Sequence, residues 1–110
     1  MEITFANKEL QQLSNDNKKC NKKLGKVRAK LYLKRLSDLL IADNLEEVRH
    51  LPGRYHELTG NRKGQWACDL DQPYRLIFQP HEDPIPQDAD GKYIWLEIIG
   101  VEIIEITDYH

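Results

Sequence analysis

Cysteine, methionine and phenylalanine are scarce in this 110-residue chain, with two, one and two copies. Cys20 and Cys68 stand far apart, outside any Cys-x-x-Cys or Cys/His cluster, which argues against a structural zinc site and for two free thiols in a reducing compartment. No apolar run approaches the roughly 20 residues that span a bilayer. The opening MEITFANKEL has no basic segment leading into an apolar one, so no secretory signal is expected. Repeats and low-complexity tracts are missing too. These absences together predict a soluble, cytoplasmic protein without a membrane partner, and the length suits one domain over residues 1–110.

Net charge is also nearly absent, at −2, but the average hides a split. Residues 1–35 carry ten Lys/Arg against three acids, whereas residues 64–110 carry two against ten. The basic third could face a polyanion, or be a solvated surface that keeps the chain soluble.

What is present has two periods. EITF (2–5) reads as a strand, and Asn7 as the N-cap of a weakly amphipathic helix to about Lys19, with Leu10 and Leu13 inward. After a break at Gly25, Ala29, Tyr32, Leu33, Leu36, Leu39 and Leu40 form one apolar stripe of a helix from Lys26 to about Ala42. Asp43-Asn44 stops it, a short helical turn follows, and Pro52-Gly53 is a loop. From there the period becomes two. RYHELTG alternates; QWACDLD alternates Trp66, Cys68 and Leu70 against polar residues; YRLIFQP is β-prone and joins it through a tight turn at Asp71-Gln72-Pro73. Residues 80–92 are Pro-rich and acidic, a surface loop, before the β-prone VEIIEI run. The order predicts an α+β fold, helices packed on an antiparallel sheet.

Several side chains could carry chemistry. Gly60 and Gly64 bracket Arg62 and Lys63 in a turn that could present two cations to a phosphate, or be an ordinary charged turn. His56 alternates onto the face opposite Tyr55 and Glu57. Arg75 interrupts an apolar strand on the face of Ile77, where a charge must meet solvent, a partner or an anion. A β-prone run closes on Asp108-Tyr109-His110, three groups able to hydrogen-bond or move protons. His50 and His81 receive no role. No helix-turn-helix pattern is seen, which argues against direct DNA binding.

Taken in order, His56-Glu57-Leu58, the Gly-x-Arg-x-Gly-x-Trp turn from Gly60 to Trp66, the Tyr74-Arg75-Leu76-Ile77-Phe78 strand and the final Asp108-Tyr109-His110 resemble the HigB-type killer toxins of plasmid-maintenance modules, within the RelE superfamily. The resemblance extends through the opening ITFANK step. It implies a RelE-like fold, two N-terminal helices on a twisted antiparallel sheet. It also implies a type II toxin that cleaves mRNA on the ribosome without metal or cofactor and so inhibits translation. A helix-turn-helix antitoxin is the implied partner, and operator DNA is reached only through it. His56, Asp108, Tyr109 and His110 would then be catalytic, with Arg62, Lys63 and Arg75 holding RNA phosphate. Two departures from the family stand out: the overall charge is not basic, and loop 80–92 looks like an acidic insertion that could repel RNA. The alternative is a non-nucleolytic or gyrase-targeting, ParE-type relative acting by protein binding in an antitoxin complex that regulates its operon.

Overall fold

A computed structural model describes residues 1–108; Tyr109 and His110 lie outside the described residues. Its elements run β1 (Glu2–Phe5), α1 (Lys8–Asn15), α2 (Asn17–Leu24), α3 (Lys26–Ile41), α4 (Leu45–Val48), β2 (His56–Glu57), β3 (Trp66–Asp69), β4 (Tyr74–Pro80) and β5 (Gly100–Asp108), with single 3-10 turns at Gly60–Arg62 and Trp95–Glu97.

The first helical segment is two helices rather than one. Asp16 ends α1 and caps α2, its carboxylate accepting from the Lys19 N–H at 3.0 Å. A short acceptor that can cap lets the chain turn between helices without orphaning the first amides of the second. Asn7 caps α1 as expected, accepting from Leu10 N–H at 2.9 Å. Along α3 the stripe holds at Ala29, Tyr32, Leu36 and Leu39, all buried, but fails at its end, where Leu40 is 61% exposed.

The five strands form one sheet in the order β1-β5-β4-β3-β2. β2 to β5 are antiparallel neighbours, as the alternating pattern suggests, while β1 joins β5 in parallel, Ile3 opposite Val101 and Phe5 opposite Ile103. The α+β class therefore stands, with a mixed sheet whose one parallel pairing lies at an edge. Helices connect β1 back to the rest of the sheet, as a parallel neighbour requires.

One sheet face packs on the helices. Trp66, Cys68, Leu76, Phe78, Val101 and Ile103 are buried there with Leu13, Tyr32, Leu36 and Leu39. Burial lifts the Cys68 thiol and the Tyr32 and Tyr55 phenols well above their ordinary values. The folded state therefore holds these protons where the unfolded chain releases them. The resulting stability is complete below about pH 8.5–9, near the unfolded thiol value, and is lost as pH rises beyond it. Melting temperature should be level from neutrality to about pH 8.5 and fall steeply above pH 9–10. A level profile to pH 11 in a thermal-melt series would contradict this burial.

Candidate active site

The opposite sheet face carries the polar chemistry. Residues paired across antiparallel strands share a face. Register therefore sets His56, Ala67, Ile77 and Glu105 in one row across β2 to β5, and Asp69, Arg75 and Thr107 in the next. Ala67 and Ile77 are buried between these polar groups. The alternation that placed His56 away from Tyr55, and Arg75 with Ile77, is what the strands show.

His56 is held by its own chain. Its Nδ1 lies 2.6 Å from the carbonyl oxygen of Arg54. A carbonyl can only accept, so Nδ1 carries the proton and donates it, and in the neutral ring Nε2 keeps the lone pair. Arg54 is the one non-glycine residue with a left-handed backbone among the described residues, at φ +55. Such strain persists only where neighbours hold it. Asp69 supplies much of that hold. Its N–H donates to Gly53 O at 2.7 Å, its carbonyl accepts from Arg35 Nε at 2.8 Å, and its carboxylate lies 3.6 Å from Arg54 and 3.1 Å from Arg75.

Gly53 makes this close packing possible. Its φ is +121, and a β-carbon there would stand 2.8 Å from Cζ of Arg35. That guanidinium also donates to Pro52 O, so it is not free to swing away. Gly53→Ala should destabilise the chain by about 1–3 kcal/mol, the usual range for forcing a side chain into such a conformation. Urea unfolding would read it; a loss below about 0.5 kcal/mol would show that the turn yields cheaply.

Arg62 sits on the turn between β2 and β3, flanked by Gly60 and Gly64 at φ +66 and +96. It reaches the sheet face, donating to Gln65 Oε1 at 2.8 Å and to Glu105 Oε1 at 2.6 Å. Lys63, its neighbour, turns outward over the Tyr93 ring, 5.5 Å from the centroid. Arg62 is thus the member of the pair that faces the His56 row. Arg75 is 17% exposed and close to Asp69, yet Nη1 of Arg75 and Oδ1 of Asp69 make no aligned hydrogen bond although only 3.1 Å separates them. The pair gains from its charges at short range while hydrogen-bonding capacity on both sides stays unused.

The structure brings His56, Arg62 and Arg75 to one face, leaves Lys63 at its rim, and sets Asp108 opposite Tyr74, one step past Thr107 and on the other face from Arg75. Tyr109 and His110 fall outside the described residues. Sequence reading missed the carboxylates Asp69 and Glu105, which meet the cations here, and Glu102, which accepts from the Gln79 amide. Glu102 and Glu105 are three apart, so strict alternation assigns them to opposite faces. A bulge in β5 brings them to the same one: Ile77 pairs with Glu105 and Phe78 with Ile103, so Ile104 is the extra residue. Among the described residues no group of three His, Cys, Asp or Glu is placed to hold a metal ion, and no helix is long and apolar enough to cross a membrane.

Residues 3–89 match the family model described as RelE-like toxin of type II toxin-antitoxin system HigB. The fold is similar to that of a YoeB/ParE toxin from Agrobacterium tumefaciens, at 11% identity, with 100% of each chain covered and a TM-score of 0.51. No curated protein matches.

Proposed function

Since the chain belongs to the HigB family of RelE-like type II toxins, each paired with a cognate antitoxin, we propose that it is a ribosome-dependent mRNA endoribonuclease working as one domain over residues 1–110. The observation that carries this reading is the sheet face on which His56, with Nε2 unprotonated in its neutral form, shares a surface with Arg62 and Arg75.

Cleavage of this kind needs three services. The ribose 2′-OH must lose a proton as its oxygen attacks phosphorus, the 5′-oxygen must gain one as its bond to phosphorus breaks, and the phosphate oxygens need cations while charge builds on them. His56 Nε2, with its lone pair free in the neutral ring, is placed to accept a proton. The Arg62 and Arg75 guanidinia suit a bidentate grip on the phosphate, with Lys63 adding charge at the rim. The family pattern makes Tyr109 and His110 the second proton-transfer group and its support; Asp108 belongs to the same motif but lies on the other sheet face from Arg75. Ribosome, mRNA and a helix-turn-helix antitoxin are the partners in this reading, with operator DNA reached through the antitoxin and action in the cytoplasm.

A second reading draws on the carboxylates. Arg62 already pairs with Glu105 and Arg75 with Asp69, so RNA phosphate must displace an internal anion from each. This favours a non-nucleolytic relative that acts by binding protein. Inducible expression of the intact chain, with mapping of new mRNA 5′ ends, separates the two. Growth arrest with cuts confined to translated reading frames supports the nuclease. Antitoxin binding without any cut supports the second reading.

A further inference from the structure

Beyond Arg62 the same face opens into a cleft of about 380 Å³, walled by Arg62, Lys63 and Gln65 on one side and by Gln79, His81, Glu82 and Glu102 on the other, with Ile85 as an apolar surface. None of Gln79, His81, Glu82 or Glu102 has a task in the proposed reaction. Arg62 belongs to both places. The Gln79–Glu102 pair lies two residues along β4 from the His56 row, a step of roughly 6.6 Å.

Acceptors outnumber donors on the Gln79 wall of the cleft. The Gln79 amide spends one of its two N–H groups on Glu102 Oε1 at 2.8 Å, which leaves one N–H against the Gln79 carbonyl and the second Glu102 oxygen. Glu82, in the same wall, adds negative charge. The cations stand on the Arg62 wall. A phosphate is thus drawn to that wall and repelled from the depth. A flat group with N–H donors and an apolar face fits the depth, and the volume lies within the range of small-ligand sites.

We propose that this cleft is a nucleobase subsite that selects an amine-bearing base (adenine, cytosine or guanine) over uracil at the nucleotide next to the cut. An exocyclic amine offers two hydrogens to two acceptors, whereas uracil offers one N–H flanked by carbonyls that the carboxylates repel. Ile85 provides the surface against which the ring lies. The inference rests on the nuclease reading and deepens it.

The test compares mRNA cut sites of the intact chain, Glu102→Gln and Gln79→Leu. The intact chain should favour amine-bearing bases over uracil by about tenfold at one position beside the cut, the size of one good base contact. Both substitutions should reduce the bias to about twofold or less, with tryptophan-fluorescence melts confirming that each variant is folded. Cutting by both folded variants with an unchanged bias overturns the subsite alone. The same result with weakened antitoxin binding assigns the cleft to a basic side chain of that partner instead. No cutting by the intact chain removes the nuclease reading, and this inference with it.

Discussion

His56→Ala should lower mRNA cleavage on programmed ribosomes by about 10²- to 10⁴-fold, the usual contribution of a positioned proton-transfer group. The fold should hardly notice. His56 is half-buried on a two-residue strand, and its side-chain bond among the described residues goes to the Arg54 carbonyl, which water can satisfy after the substitution. The stability cost is about 1 kcal/mol or less. Unchanged melting with lost cleavage places His56 in the chemistry. Full cleavage by the variant would move proton transfer elsewhere on the face and end this assignment. His56→Gln sharpens the result, since an amide can restore the bond to Arg54 but cannot cycle a proton near neutral pH.

Trp66→Ala should have the opposite profile. Trp66 is fully buried, stacked with Phe78 at 6.4 Å between ring centroids, edge-on to Trp95 at 5.4 Å, and capped by the Arg49 guanidinium at 4.9 Å. Deleting a buried indole costs about 3–5 kcal/mol, a fifth or more of the roughly 5–15 kcal/mol that holds a domain together. Activity should then fall with the folded fraction and recover on cooling, while bound antitoxin should raise the melting temperature without restoring activity. Urea unfolding followed by Trp95 fluorescence would measure the loss. A cost under about 1 kcal/mol would mean that the sheet and helices close over the gap.

Local pattern and pairing register divide what could be read from the chain before its fold was known. The helix of residues 26–41, the strands around Trp66 and Phe78, and the faces of His56 and Arg75 follow from periods of 3.6 and two, which act within a few residues. The break at Asp16 was less visible, because a polar stretch continues helically across it and one capping carboxylate decides the matter. The partners of Arg62 and Arg75 depend on which residue of one strand stands opposite which of another. A single extra residue, Ile104, resets that relation for Glu105. The same limit applies to charge. Loop 80–92 looked like the acidic hazard, yet Asp88 in it spends its side chain on the amides of Asp90 and Lys92, and the acids that meet the arginines come from β3 and β5. His81, left without a role by its sequence, stands in the cleft wall.

The place of β5 in the sheet has a consequence for how the toxin is made. This strand holds residues 100–108 and lies between β1 and β4, so the first strand cannot dock until the chain has been synthesised almost to its last described residue. A nascent chain on the ribosome can form α1 to α3 and the β3–β4 hairpin, but it has no central strand on which to assemble the sheet, and such distant pairing forms late. Glu105, Thr107 and Asp108 arrive with that strand. A growing chain interrupted before residue 100 therefore leaves an unassembled fragment rather than a folded toxin.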